Sequence, residues 1–441
     1  MLDLLLILIG SLFLLGALDD LFIDAVHLLF RVRPRSPGKE EWQQWRGLPE
    51  QRLAILIPAW QEASVLEAMV RTNLSRIRYG EYKWFIGVYP NDPETFSIAR
   101  ELERRHSGKV EVVVTDRPGP TSKAHCLNCI LKHLEEARYQ PDWIAIHDAE
   151  DVIHPDAFTA VNSRGGDCDF IQLPIFSLPV PAGDWVSGTY LDEFSEIHLK
   201  EIPVRKILGM PIPSAGVGTF FSASILAEMH RIFGYRFDEQ NLTEDYEISL
   251  RIAKAGGRQE FMLVKDEKGG IVATREYFPH EFRRSIRQKT RWTTGIALQT
   301  TAKWGAFGIF RRLRWKDLPL AYGLFRDRKS LWSNPAVLAA WLLAPAAVLH
   351  PVSQEGALHL FEFNLLAFGV RLVQRARFCG QLYGTKHGVL SIPRVLLSNV
   401  INSLAWMRAI HGFFRAPVMR DSRQIEWDKT DHRFPDLKEV A

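Results

Sequence analysis

Between about residue 50 and residue 275, short apolar runs alternate with amphipathic stretches. Runs such as LAILIP, KWFIGVYP and VEVVVT have the length of strands, and each is followed by apolar residues at helical spacing. Strands separated by helices predict parallel pairing through crossover connections. We therefore predict an α/β domain with a mainly parallel sheet over residues 50–278, whose ligands bind beyond the carboxyl ends of the strands.

Apolar segments of a different kind flank this domain. Residues 4–18 are uncharged and the first basic residues follow them, which predicts a membrane anchor over residues 1–35 with the soluble part in the cytoplasm. No charged residue occurs over residues 331–354, and a further apolar run covers 357–372, so we predict two transmembrane helices within residues 329–374. Buried core helices of a large soluble protein are the alternative.

Two further stretches are amphipathic rather than uniformly apolar. Residues 279–328 place arginines and aromatic residues at helical spacing ahead of the membrane segments, which predicts interfacial helices. Residues 389–414 are apolar but contain Pro393, Arg394 and Arg408, so we predict that residues 375–441 form an interfacial helix and a cytoplasmic tail.

Composition narrows the class of protein. The chain of 441 residues is 46% hydrophobic and 24% charged, which is typical of a folded protein, and its formal net charge of +4 is too small to indicate a nucleic-acid partner. The four cysteines are too few for a disulfide framework. Cys126 and Cys129 form a CxxC pattern, but their helical context favours core packing over a metal or redox role.

The stretch IHDAEDVIHP crowds three acids into one turn after a predicted strand. In an extended strand end, Asp148 and Glu150 would share one face while Asp151 would point away. Two carboxylates on one face predict a Mg²⁺ or Mn²⁺ site, although acids that cap the next helix would give the same pattern. The flanking histidines match no tight zinc motif.

Two later clusters are ambiguous when each is taken alone. In NLTEDYEISL, Thr243 is a candidate helix cap, and the helix dipole would tolerate Glu244 and Asp245 behind it. In HEFRRSIRQKTRW, a run of arginines ends in Trp292, as in helices that face lipid headgroups.

The order of these clusters, PAWQE, KAHCLN, DAED, GVGTFFSA, TED and QKTRW, resembles the membrane-bound members of glycosyltransferase family 2, which include cellulose and hyaluronan synthases. The resemblance covers residues 50–300 and implies a GT-A fold. The strings DAEDVIHP, LDDLFID and DKTDHRFP are most similar to the branch that contains the bacterial phage-adsorption protein B.

The resemblance also implies a role for each matching residue. It makes Asp245 the general base, with Glu244 and Arg291 as further catalytic residues, and it places a divalent metal, Mg²⁺ or Mn²⁺, on Asp148 and Glu150. Donor-binding positions are Pro58, Glu62, Asp92, Lys123, Asn128 and Asp148. Acceptor-binding positions are Gly216, Gly218, Thr219, Phe220, Gln288 and Trp292.

The chain departs from the family pattern at two places. Glu150 stands where the second aspartate of an Asp-x-Asp motif is usual. The acidic pair that grips uridine after the second strand is replaced by residues 89–94, where Asp92 is the best candidate to take its place.

The expected activity is transfer of a sugar, with inversion, from a nucleoside diphosphate sugar that we predict to be UDP-linked. The expected partners are a glycan acceptor, the lipid bilayer of the bacterial inner membrane and an export partner, with polymerisation of an exopolysaccharide as one outcome. Two alternatives are a glycoside hydrolase with paired carboxylates and a membrane assembly or phage-adsorption component with a vestigial transferase site.

Overall fold

A computed structural model of the protein describes residues 2–305, 314–349, 355–415 and 433–435. The strands are β1 Leu53–Pro58, β2 Tyr82–Val88, β3 Val110–Val114, β4 Trp143–Ile146, β5 Val152–Ile153, β6 Phe170–Gln172, β7 Ile175–Ser177, β8 Thr219–Ser222, β9 Gln259–Phe261 and β10 Thr274–Glu276. The helices are α1 Leu2–Leu29, α2 Lys39–Arg46, α3 Leu66–Arg76, α4 Pro93–Arg105, α5 Lys123–Glu136, α6 Ala157–Asn162, α7 Trp185–Glu196, α8 Ile202–Ile207, α9 Ala223–Phe233, α10 Glu244–Lys254, α11 Phe282–Trp292, α12 Thr300–Trp304, α13 Leu318–Asp327, α14 Ser330–Leu349, α15 Glu355–Tyr383 and α16 Thr385–Arg415.

The chain divides into two compact units. The first, which we call the sheet unit, contains Arg33–Leu178 and Pro211–Tyr277. The second, the helical unit, contains Pro179–Met210 together with the segments that end at Val32 and begin at Phe278. Residues 179–210 lie within the predicted domain of residues 50–278 but belong to the helical unit, so the sheet unit is not continuous in sequence.

The sheet unit is built on a sheet whose strands follow the order β3-β2-β1-β4-β8-β6-β9 in the described residues. The pairs β1–β2, β2–β3, β1–β4 and β6–β9 are parallel, and only the pairs made by β8 in this sheet are antiparallel. All six residues of β1 are buried, as expected for a central parallel strand with helices on both faces. This confirms the predicted mainly parallel α/β fold.

The core of the sheet unit contains large aromatic side chains. Trp84, Trp143, Phe158 and Phe220 are fully buried or nearly so, and they hold the sheet against the helices that pack on it. Burial of such side chains stabilises a fold by roughly 1.5–3 kcal/mol each. A smaller sheet of strands β5, β10 and β7 follows the acidic turn after β4.

In the helical unit, α1 and α16 are each long and apolar enough to cross a membrane by length and composition. Residues 389–414, which we predict to form an interfacial helix, lie within α16, and Arg394 in this segment is fully buried against Asp192. Large apolar side chains such as Leu4, Leu342, Leu365 and Leu366 are mostly exposed, as lipid-facing residues would be. The end of the predicted second span and most of the predicted tail, residues 350–354 and 416–432, lie outside the described residues.

Candidate active site

The acidic stretch after β4 is a tight turn and not a continuation of the strand. β4 ends at Ile146, and the backbone N–H of Asp151 donates to the carbonyl of Asp148 at 3.2 Å. The prediction that these acids alternate between the two faces of an extended strand is therefore wrong. The chain reverses direction here, so the side chain of Asp151 lies inside the turn.

Asp151 is a buried structural residue of this turn. Its Oδ2 atom accepts a hydrogen bond from the backbone N–H of Asp148 at 3.1 Å and lies 2.8 Å from Nδ1 of His147. Burial, together with Glu276, Asp148 and Glu150, raises the pKa of Asp151 well above its ordinary value. Burial lowers the pKa of His147 to about 3, so this histidine is neutral. The structural role predicted for Asp151 agrees with these contacts.

Lys123 and three of the predicted acids converge at the carboxyl ends of the strands. Lys123 opens α5 and its Nζ atom lies 2.5 Å from Oδ1 of Asp148. Burial lowers the pKa of Lys123, but the charges of Asp148, Glu244 and Asp245 outweigh burial and raise it above the ordinary value. Lys123 of KAHCLN therefore lies close enough to Asp148 of DAED and to the two acids of TED for their charges to interact.

Asp245 lies at the start of α10, where the helix dipole favours a carboxylate. Thr243 occupies the predicted cap position, but its side chain makes no capping hydrogen bond, and it instead bonds Oδ1 of Asn241. Glu244 is buried, whereas Asp245 is half-buried and accessible. Of these two acids, Asp245 is therefore the one that can meet a substrate.

The backbone of residues 216–218, the GVG segment, lies beside this cluster of charged side chains. The carbonyl of Gly216 accepts a hydrogen bond from Nζ of Lys123 at 3.2 Å. Gly216 has a φ of +76°, and a Cβ atom at this position would lie 2.6 Å from Oδ2 of Asp245, so the close approach requires glycine. Gly218 has a φ of +57° and is similarly crowded by Oγ1 of Thr274.

The two residues that follow are not at the surface. Thr219 and Phe220 are fully buried in β8, which pairs with β4. Oγ1 of Thr219 lies 2.8 Å from Oε1 of Gln172, and Phe220 packs against Phe158. The side chains of Thr219 and Phe220 therefore belong to the core, and their acceptor-binding role stays a prediction.

Gln172 is a residue that the sequence analysis missed. Its amide nitrogen donates to the carbonyl of Val217 at 2.9 Å, and its Oε1 atom accepts from the backbone N–H of Ala215 at 2.9 Å. This buried amide fixes the loop that carries Gly216. A single glutamine in a strand of three residues gives no sequence signal for that role.

The predicted donor-side loops lie together after β1 and β2. Asp92 caps α4 through the backbone N–H of Thr95 and also accepts from the backbone N–H of Gln61 at 2.6 Å, so it ties the two loops to each other. Pro58 ends β1, and Glu62 is buried in the loop that follows. Both oxygens of Asp92 thus already accept hydrogen bonds from the protein backbone.

Asn128 is not brought into the acidic cluster. Its amide nitrogen donates to the carbonyl of Phe237 at 2.9 Å, and its Oδ1 atom accepts from the backbone N–H of the same residue at 3.2 Å. Asn128 therefore fastens α5 to the segment that precedes α10, and its donor-binding role stays a prediction.

The oxygen donors at the turn fit a hard divalent cation. Glu150 is buried and Asp148 is half-buried. Carboxylate oxygens are preferred ligands of Mg²⁺ and Mn²⁺. Neither of the three-residue groups with metal-ligand spacing in the described chain includes these residues, so a bound diphosphate and water would have to supply the remaining oxygens.

The QKTRW residues lie at the end of α11 in the helical unit. Trp292 packs against Tyr190 and Phe194, with ring centroids 6.2 and 6.1 Å apart. The side-chain oxygen of Gln288 is enclosed and meets no donor among the described residues. A cavity of about 620 Å³ within the helical unit is lined by Trp292, Lys289, Asn399 and Asn402 among others.

The model of the family described as "Glycosyltransferase like family 2" matches residues 49–295, which is more than half of the chain. The protein belongs to glycosyltransferase family 2. The predicted family is thereby confirmed, and the match ends just after Trp292.

The chain is 35% identical, over 96% of its length, to bacteriophage adsorption protein B of Escherichia coli K12 and to the bacteriophage N4 adsorption protein B of E. coli O157:H7. It spans 61% of the length of these relatives. Among solved structures, a mannosyltransferase from Pyrobaculum calidifontis, crystallised with GDP-mannose and Mn²⁺, is similar with a TM-score of 0.58 at 16% identity, covering 93% of this chain and 99% of that one. This likeness supports the GT-A fold.

Proposed function

We propose that the protein transfers a sugar from a nucleoside diphosphate sugar to a glycan acceptor in one inverting, metal-dependent step at the membrane. The observation that carries this proposal is the convergence of Lys123, Asp148 and Asp245 beside the backbone of Gly216. A cation and a carboxylate pair suit a diphosphate with its metal, while the accessible acid at the helix start suits a base.

In the proposed reaction, Asp245 accepts the proton of the acceptor hydroxyl as its oxygen attacks the anomeric carbon. Lys123 binds the diphosphate, and its positive charge stabilises the negative charge that develops on the leaving group. Asp148 and Glu150 would hold Mg²⁺ or Mn²⁺, which when bound supplies further charge stabilisation to the diphosphate.

On the acceptor side, we assign a sugar-stacking role to Trp292 and hydrogen bonding to Gln288. The aromatic setting of Trp292 and the enclosed oxygen of Gln288, which meets no donor in the part of the chain that the structure describes, support this assignment. Arg291 is assigned to the departing diphosphate, because a guanidinium suits phosphate oxygens. Polymer formation and an export partner are extensions of the same proposal.

We place the protein in the bacterial inner membrane, with several spans and the sheet unit in the cytoplasm. The support is the pair of candidate spanning helices, α1 and α16, and the basic residues that follow α1.

The donor is proposed to be UDP-linked, and a screen tests this directly. Purified protein in detergent with Mn²⁺ or Mg²⁺ is supplied with UDP-sugars and GDP-sugars, and nucleoside diphosphate release is followed. Release from a UDP-sugar is expected. Release from GDP-sugars alone would contradict the UDP assignment but leave the transferase proposal intact.

A role in assembly or phage adsorption is the second candidate, favoured by the similarity to proteins named for bacteriophage adsorption. The two functions separate in cells that carry Asp245→Asn. A phage-adsorption phenotype that survives this change would show that the protein's presence, rather than catalysis, is what the phenotype requires.

A further inference from the structure

A group of metal-ligating side chains lies on α5 outside the proposed catalytic cluster. Nε2 of His125 is 2.9 Å from Oδ1 of Asp116 and 3.5 Å from Sγ of Cys129, and Sγ of Cys129 is 3.8 Å from Oδ1 of Asp116. His125 and Cys129 are four residues apart on one helix, so both face the loop that carries Asp116. Three different ligand types thus point at one position.

The triangle of ligand atoms has the dimensions of one face of a tetrahedral site. Zinc binds nitrogen and oxygen at about 2.0 Å and sulfur at about 2.3 Å, so tetrahedral angles separate neighbouring ligand atoms by about 3.3–3.5 Å. The observed separations of 2.9, 3.5 and 3.8 Å lie around these values.

The second ring nitrogen of His125 also has the partner that metal-bound histidines use. Nδ1 of His125 lies 3.3 Å from a carboxylate oxygen of Glu239. Glu239 is itself held by Arg117 at 2.8 Å and by the amide of Asn128 at 3.3 Å. Nη2 of Arg117 lies 3.0 Å from the same Nδ1, so Nε2 is free to bind an ion in the tautomer whose Nδ1 hydrogen faces Glu239.

We propose that Asp116, His125 and Cys129 form a binding site for a borderline-soft divalent cation of the Zn²⁺ class, with solvent as the fourth ligand. Thiolate and imidazole select such a cation over Mg²⁺, which prefers oxygen ligands. Binding releases the thiol proton of Cys129 and the Nε2 proton of His125, so that a thiolate and a neutral imidazole hold the ion. Asp116 is 69% exposed, which gives an ion access from solvent.

The site also explains a departure from the sequence analysis. Cys126 is fully buried as predicted, but Cys129 is only half-buried and its sulfur lies beside His125 and Asp116. An ion here would fasten the loop after β3 to α5, the helix that begins with Lys123. The site is therefore suited to stabilising the donor-binding edge without taking part in transfer.

Co²⁺ is a suitable probe, because it replaces Zn²⁺ and its thiolate complex absorbs in the near ultraviolet. We expect the protein in detergent to bind one equivalent of Co²⁺ with a thiolate charge-transfer band that Zn²⁺ abolishes and excess Mg²⁺ does not. Cys129→Ser should lose the band, and His125→Gln should weaken binding at least tenfold. Glu239→Gln should weaken it about 10–100-fold through the ring orientation.

The control variants replace the same types of side chain, a cysteine, a histidine and an aspartate, at other positions of the sheet unit. Cys168→Ser, at another half-buried cysteine, and His154→Gln, at a second histidine near acids, should keep the band, as should Asp148→Asn in the proposed catalytic cluster. A wild-type protein with no band would overturn the proposal and leave an ion pair between His125 and Asp116. A band that persists in Cys129→Ser, or that Mg²⁺ removes, would overturn it as well.

Discussion

At the scale of single residues, Asp148 and Asp151 differ in role although only two residues separate them. Asp151 is fully buried and accepts hydrogen bonds inside the turn, whereas Asp148 faces Lys123. The sequence shows three similar acids, and only the turn geometry separates the structural acid from the one available to a ligand.

Asp151→Asn should keep the turn, because an amide oxygen can accept the same hydrogen bonds from Asp148 and His147. The pKa of Asp151 is raised in the folded state, so the folded protein loses stability as the pH rises above the pKa that Asp151 has in the unfolded chain. The amide of asparagine does not ionise and therefore avoids this loss. At neutral pH the variant should therefore be at least as stable as the wild type.

Asp151→Ala is the comparison, because alanine cannot accept these hydrogen bonds. It leaves the donors of the turn without an acceptor and should therefore lower the free energy of unfolding by about 1–3 kcal/mol. Thermal unfolding of both variants in detergent at neutral pH compares them. An alanine variant as stable as wild type would show that these hydrogen bonds do not hold the turn.

Asp148→Ala should abolish transfer, because it removes the partner of Lys123 and a proposed metal ligand. Glu150→Asp should retain part of the activity, since the shorter carboxylate restores the commoner family residue. Initial rates of nucleoside diphosphate release at several Mn²⁺ concentrations measure both effects. If both variants match the wild type, the metal assignment is wrong.

At the scale of secondary structure elements, α7 is joined to α16 by a fully buried ion pair. Arg394 donates to both oxygens of Asp192 at 2.6 and 2.9 Å, and Gly188 leaves room for the guanidinium. This pair explains why residues 179–210 belong to the helical unit although they interrupt the sheet unit in sequence.

Arg394→Ala should lower the free energy of unfolding by about 3–5 kcal/mol, because it strands the Asp192 carboxylate in the interior. Replacing both residues by leucine should recover most of this loss. Arg408→Ala, at an exposed position of the same helix, is the control. Thermal midpoints in detergent measure the series, and equal midpoints for the Arg394 and Arg408 variants would contradict the account.

The elements with a regular apolar pattern could be predicted from sequence, and those fixed by single contacts could not. Strands β1 to β4 and the helices between them follow from period and length alone. The burial of Thr219 and Phe220 depends on antiparallel pairing of β8 with β4, which no local pattern encodes. The hydrogen bonds between the Asn128 amide and the backbone of Phe237 likewise join residues that are far apart in sequence, and no local pattern encodes them.

At the scale of the whole molecule, the helical unit carries the features of a membrane protein. The exposed faces of its helices include side chains such as Leu342, Leu365 and Leu366, which would be costly in water. Acids of α1 are paired within the unit, for example Asp19 with Arg326 and Asp24 with Lys200, so their charge does not face lipid.

Extraction of membranes with alkaline carbonate should leave the protein in the pellet, because helices that cross the bilayer are not released by pH or salt. Release into the supernatant would instead favour a soluble protein whose long helices are core elements. Immunoblotting of both fractions, with a detergent-extracted sample as the positive control, distinguishes these outcomes.

The central claim is that this membrane-associated member of glycosyltransferase family 2 is an active transferase with Asp245 as its base. The most direct measurement is the rate of nucleoside diphosphate release by purified wild type and Asp245→Asn, with an acceptor glycan and Mn²⁺. Loss of a general base predicts a fall in kcat of about 10²–10⁴-fold with little change in donor binding, while Glu228→Gln, at a half-buried acid of the same unit, stays at the wild-type rate. Equal rates for wild type and Asp245→Asn would contradict the account.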